Sequence, residues 1–347
     1  MSDMRFGETA NDEYPLLEQP PGQPTYGENH AFWIFDAEGR YYINTHVNSV
    51  ESFWPLRRET VGICLPDDGI LVGMNEGAQT RADAVGGANL VMRCDEPFRR
   101  WTVSFAGTLL KTTQSRLAAG AVTEYDGERI VVRFEADVRV EGPVIHQGGI
   151  GKSSHELGDT VASRYIGGTR YEQLFRAEAR LQVGAGSEIR FSGTGTRTHR
   201  RGTRNVGGYA GHDWQSALFP DGSGFYFMRF PTAEGGIAYS EACVIRHGRL
   251  YPAEVLSDTW MTSRQVAGEK MLIRLGSELG ETAVEGETLG TVLRAMNATP
   301  GNPLARVFGF HNRNEGAIGL SQAWARYSLG GQTATGLCER STFSARL

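Results

Sequence analysis

Apolar residues in this chain fall into short runs separated by Gly, Pro, Asn and Asp, the pattern of many short strands joined by tight turns. Ala31-Phe-Trp-Ile-Phe35 and Tyr41-Tyr-Ile43 flank Asp36-Ala-Glu-Gly39, which predicts a hairpin. Thr60–Leu65 and Ile70–Met74 repeat that arrangement around Pro66-Asp-Asp-Gly69. Arg99–Gly107 predicts a further strand, and Arg129–Val140 alternates apolar and charged residues as a half-solvated strand does. Tyr171–Val183 alternates weakly, Gly224–Phe230 is dense in aromatics, and Gly236–Ile245 ends in a turn at Arg246-His-Gly-Arg249. Thr291–Met296 and Val307–His311 also predict strands, whereas Ile318–Tyr327 fits either period. No window carries a long capped helical stripe, so the chain is expected to be all-β. Residues up to about Pro24 predict an extended arm, and the periodicity fades from Gly142 to Thr169, a lid-like loop or a short helix with a linker. A boundary near residue 185 divides the strands into two β domains, 1–185 and 186–347.

Composition narrows the picture. The 347 residues are 40% hydrophobic and include 45 glycines without a regular period, which fits a globular protein with a sizeable core and many turns. A net charge of −5 leaves no basic footprint for nucleic acid or anionic lipid. The polar start Met1–Gly7 and the shortness of the apolar runs predict neither a signal peptide nor a membrane span, and hence a cytoplasmic protein. Cys64, Cys94, Cys243 and Cys338 lie far apart, as buried free thiols do; no structural zinc is expected. Gly151-Lys-Ser153 matches only the end of a phosphate-binding loop, because His146 stands where its first glycine belongs.

Candidate chemistry concentrates in Gly193-Thr-Gly-Thr-Arg-Thr-His-Arg-Arg-Gly-Thr-Arg204 and Gly211-His-Asp-Trp214, read as a polar, turn-rich segment between two β segments. His199 and the His212-Asp213 pair are the candidate proton donors and acceptors, since His or a desolvated carboxyl titrates near working pH. Neighbours on a strand face opposite ways, so His212 and Asp213 share a pocket only in a turn. Arg197 and Arg204 suit a planar substrate anion, or alternatively salt bridges to buried acids such as Glu172 and Glu339. Trp214, Tyr41 and the cluster His46, Glu51 and Trp54 are candidate lining or substrate contacts. His146 and His155 lie in the loop-like stretch, where they could close over a ligand.

Tyr171-Glu-Gln173, Gly193-x-Gly-x-Arg197-x-His199-x-x-Gly202-x-Arg204, Asp213-Trp214, Pro220-Asp-Gly222 and Gly336-Leu-Cys-Glu-Arg340 together resemble the AttH-like proteins, which include the carotenoid 1,2-hydratases (hydroxyneurosporene synthases). The sharp part of the resemblance covers about residues 171–222. It implies two tandem lipocalin-like antiparallel β-barrels packed together. It also implies addition of water to, or cyclisation or isomerisation of, hydrophobic isoprenoid or polyketide substrates without a cofactor. Thr198 and Arg201 depart from the family pattern, which places Asp before and Trp after the central His; the missing Asp removes the obvious partner of His199. The expected function is therefore a cofactor-independent lyase, hydratase, cyclase or isomerase using acid–base chemistry on a terpenoid, polycyclic or aromatic compound. The alternatives are a non-catalytic carrier of a sterol, carotenoid or acyl chain, and a structural protein; a homodimer stays open.

Overall fold

The computed structural model describes residues 6–50, 53–150, 167–203, 208–264, 266–296, 307–310 and 317–347. The first sheet contains β1 (Tyr26–Asp36), β2 (Tyr42–Ser49), β3 (Leu56–Cys64), β4 (Gly69–Ala78), β5 (Ala84–Gly86), β6 (Leu90–Glu96) and β7 (Arg100–Thr113). After a short helix, Gln114–Ala119, and β8 (Ala121–Thr123) come β9 (Arg129–Val140), β10 (Ile145–His146), β11 (Thr169–Val183) and β12 (Ile189–Thr203). The second half supplies β13 (Gly211–Leu218), β14 (Gly224–Pro231), β15 (Ile237–Arg246), β16 (Arg249–Ser257) and β17 (Lys270–Ser277). The chain ends with β18 (Gly280–Met296), β19 (Val307–Gly309), β20 (Ile318–Leu329) and β21 (Gln332–Phe343).

Two antiparallel barrels result. In the first, the order β11-β12-β1-β2-β3-β4-β7 is closed by β9, which pairs with both β7 and β11. In the second, β17-β16-β15-β14-β13-β21-β20-β18 closes through the pairing of β17 with β18. The chain passes from one barrel to the other between Thr203 and Gly211; residue 185, where the domain division was expected, lies in the turn between the paired strands β11 and β12.

The barrels pack face to face, which explains why β1 reads as an apolar run. Phe32 and Ile34 point into the first barrel, while Ala31, Trp33 and Phe35 belong to the core shared with the second. A strand buried on both faces needs no polar alternation. β9 lies on the outer wall and keeps the expected alternation of exposed and buried residues.

The Gly193–Arg204 segment departs from expectation, because through Thr203 it is regular strand and not turn. Its glycines serve close packing within that strand. A Cβ on Gly195 would lie 2.2 Å from the Phe175 ring, and one on Gly193 would lie 1.8 Å from the Phe35 carbonyl oxygen. Ile318–Tyr327 resolves as strand, and the described part of the Gly142–Thr169 stretch contains only the two-residue β10. The arm wraps: Leu16 receives Trp54 Nε1 on its carbonyl and gives its N–H to Glu28, and Ala10–Glu13 forms one turn of 3₁₀ helix over the first barrel's mouth. Among the described residues, no helix is long and apolar enough to cross a membrane.

Candidate active site

Strand alternation sends the three candidate proton donors into three compartments. His199 points into the first barrel, His212 into the space between the barrels, and Asp213 into the second barrel.

In the first barrel, register places His30 opposite His199 and Glu28 opposite Arg201, all four facing inward. His199 Nε2 lies 2.9 Å from Glu28 Oε1, which also accepts from Arg201 Nε at 2.8 Å, and the two imidazoles stack with centroids 3.6 Å apart. Burial and the neighbouring His30 push His199 well below the usual imidazole range. Burial opposes ionisation of Glu28, but the hydrogen bond with His199 and the nearby His30 imidazole, 3.8 Å away, hold it well below the usual carboxylate range. Glu28, His30 and His199 offer ligand atoms within 4.8 Å of one another, a set a transition metal could take. The fit is poor, because Arg201 sits on one oxygen of Glu28 and Arg57 Nη2 lies 3.8 Å from the other.

Arg197 is similarly committed. Its guanidinium forms a two-pronged pair with Glu13 of the arm, at 2.6 and 2.7 Å, and both side chains are buried. Glu13 also accepts from Trp101 Nε1, Phe98 N and the Tyr171 hydroxyl. Sequence reasoning had offered Glu172 as a partner for this arginine, but the register sets Glu172 opposite Thr198 on the outer face of β11. Glu172 instead accepts from Trp214 Nε1 at 3.0 Å and Gln147 Nε2 at 2.9 Å, and burial pushes its carboxyl up to about 8.

Asp213 is fully buried in the second barrel and accepts from Gln215 Nε2 at 2.8 Å. Burial drives its carboxyl upward, with the Arg340 charge opposing and Asp258 reinforcing the shift. Asp258 is paired in turn with Arg229, and Arg340 with Glu269, so the cluster is internally neutralised when Asp213, pushed up to about 8, holds its proton.

Between the barrels the arrangement differs. Antiparallel register across β13, β21, β20 and β18 aligns His212, Ser341, Leu320 and Arg294 in one row and Trp214, Glu339, Gln322 and Val292 in the next. Facing them from the first barrel are Trp33 with Asn44, and Ala31 with His46. His212 Nε2 lies 3.1 Å from Glu339 Oε1, and Gln322 Nε2 donates to Glu339 Oε2 at 2.7 Å. Burial would raise Glu339, but the contacts with His212 and Gln322 hold it down at about 2. An ionised Glu339 only accepts, so Nε2 of His212 carries the hydrogen, and in the neutral imidazole Nδ1 presents its lone pair. That lone pair meets two hydroxyls: Ser341 Oγ at 2.8 Å and the Tyr209 phenol, which are 3.0 Å from each other. The result is a continuous hydroxyl–imidazole–carboxylate chain.

The chain has aromatic walls. Trp33 meets Trp214 edge to face at 5.1 Å and His46 at 4.9 Å, Phe230 lies beside His212, and Arg170 stacks over Trp214 at 4.2 Å. His46 joins the network through Gln322 Nε2 at 3.3 Å, and Asn44 donates to Gln322 Oε1 at 3.1 Å.

Of the candidates named from sequence, His212, Trp214 and His46 thus converge between the barrels. Trp54 packs under the Arg57 guanidinium beneath the arm, and Tyr41 stacks on Phe191 at the first barrel's wall. Glu51, Arg204 and His155 lie outside the described residues, and His146 stands 3.9 Å from Glu8. Tyr209, Ser341, Gln322 and Asn44 were missed. Each is an ordinary strand or turn residue in sequence, and only register across distant strands brings them together.

The model of the family described as Domain of unknown function (DUF7064) matches residues 9–344. The chain belongs to that family. Among solved structures, this DUF7064 protein is similar to a Nitrosomonas europaea protein described as an AttH candidate (NE1406), with a TM-score of 0.53, 14% identity, and 91% of each chain covered. It is also similar to CghA crystallised with Sch210972, with a TM-score of 0.52 and 13% identity over 92% of this chain and 89% of that one. At these identities the likeness establishes a shared fold, the paired β-barrels that the AttH resemblance implied. No curated protein matches in sequence.

Proposed function

We propose that this DUF7064 protein is a cofactor-independent acid–base enzyme, a lyase, hydratase, cyclase or isomerase, acting on a hydrophobic terpenoid, polycyclic or aromatic compound bound between its barrels. The observation that carries this reading is the Tyr209/Ser341–His212–Glu339 chain set against aromatic walls. Its logic is that of a base oriented by a carboxylate. His212 withdraws a proton through either hydroxyl, the imidazolium is stabilised by ionised Glu339, and the same route returns the proton to another substrate carbon or oxygen. Trp33 and Trp214 supply aromatic surface that stabilises positive charge developing on a polyene or ring, although Arg170 already covers one face of Trp214.

The fully buried His199 and Asp213 are assigned to framework roles in this reading, because their partners are already neutralised within each barrel. Within the same fold, CghA has been crystallised with Sch210972, which is consistent with a ligand-holding role for the architecture. The carrier reading keeps one specific support, since tryptophan walls serve retention as well as catalysis.

Incubating the protein with a solvent extract of its own host, followed by mass spectrometry, separates the two. The enzyme reading expects one extracted compound to be depleted while an isomer, or a species differing by one water, accumulates with turnover. Stoichiometric retention of an unchanged compound would establish the carrier instead.

A further inference from the structure

One charged side chain between the barrels is used by none of the networks above. Arg294 lies on β18 two residues beyond Val292, which packs against Gly62 of the first barrel, so both face the inter-barrel space. Among the described residues its guanidinium makes no hydrogen bond or ion pair, and Nε is buried without a partner. Its electrostatic neighbours are Tyr42 and Glu339. Glu339 balances the charge of Arg294 through space but accepts no hydrogen bond from it, its oxygens being turned to His212 and Gln322, so the guanidinium donors stay unsatisfied. The Tyr42 hydroxyl is also buried without a hydrogen-bond partner. Buried guanidinium and phenol donors left without hydrogen-bond partners are costly unless something else satisfies them.

We infer that Arg294 and Tyr42 form the recognition subsite for a carboxylate on the hydrophobic substrate, an inference that rests on the inter-barrel reading of the site. The guanidinium fork suits a planar carboxylate, and the phenol adds a third donor. Three strand intervals, β18 to β20 to β21 to β13, separate Arg294 from His212. At ~4.8 Å each this puts their Cα atoms about 14 Å apart across the sheet, with both side chains turned into the same inter-barrel space, so a hydrophobic acid held at one end can present its other part to His212.

The test uses a matched pair of fluorescent probes, 1-pyrenebutyric acid and 1-pyrenebutanol, titrated against wild type, Arg294→Met and Arg294→Lys, each checked for a native melting transition. Wild type should bind the acid at least about tenfold more tightly than the alcohol. Arg294→Met should erase that preference while leaving alcohol binding unchanged, and Arg294→Lys should restore part of it. Equal binding of acid and alcohol by wild type, or an acid preference that survives Arg294→Met, would overturn the subsite and leave the proposed inter-barrel site standing. Failure of wild type to bind either probe would count against both.

Discussion

Burial makes most of the decisions about individual ionisable groups here. Glu172 and Glu339 are both enclosed, yet one is pushed up to about 8 and the other held at about 2. The difference lies in their partners: the hydrogen bonds from the His212 imidazole and the Gln322 amide outweigh burial at Glu339, whereas at Glu172 burial outweighs the Arg170 charge and the hydrogen bonds from Trp214 and Gln147. A carboxyl whose folded pKa lies above its unfolded value of about 4.3 binds its proton more tightly when folded. Its stabilising contribution is complete below that unfolded value and is lost as pH rises through about 8. Glu172→Gln should therefore lose less Tm than wild type between pH 6 and pH 9; parallel curves for the two proteins would refute this. His212 was legible as a candidate from its residue type. Its partner Glu339 is 127 positions away, so no local pattern could join them.

β12 shows how an element can be misread. Its Gly, Thr and Arg content resembles a turn, but the glycines make room for Phe175 and Phe35, and the polar residues are satisfied inside a barrel or between barrels. Gly195→Ala should cost about 1–3 kcal/mol, the range of core overpacking, in urea unfolding. A neutral effect would contradict the close packing of this glycine, since the added Cβ would lie 2.3 Å from the Trp33 carbonyl oxygen as well as against the Phe175 ring. The arm is the second such element. Glu13→Ala leaves the fully buried Arg197 without its counter-charge and should destabilise by about 3–5 kcal/mol. The double variant Glu13→Leu/Arg197→Met should recover much of that loss, because the uncompensated charge is gone; additive losses would mean that the arm acts through contacts other than this pair. The arm's extended start was readable from its Pro, Gly and Asn content, but its ionic anchor lies 184 residues away and was not.

Across the whole molecule, strand spacing and the AttH-like motif were enough to anticipate two packed β-barrels. Short apolar runs bounded by turn residues admit few other architectures. Locating the site needed more, because it depends on which face each strand turns toward the second barrel. His199, His212 and Asp213 span 15 residues of sequence, yet they belong to three separate interiors. The most direct measurement of the central claim compares conversion of a host-extracted substrate by wild type, His212→Gln, His199→Gln and Asp213→Asn, each normalised to folded protein. The inter-barrel account predicts a loss of at least about a hundredfold in kcat for His212→Gln alone, with near wild-type rates in the other two once they fold. Full activity in His212→Gln, or a loss confined to His199→Gln or Asp213→Asn, would place the chemistry inside one barrel and contradict it.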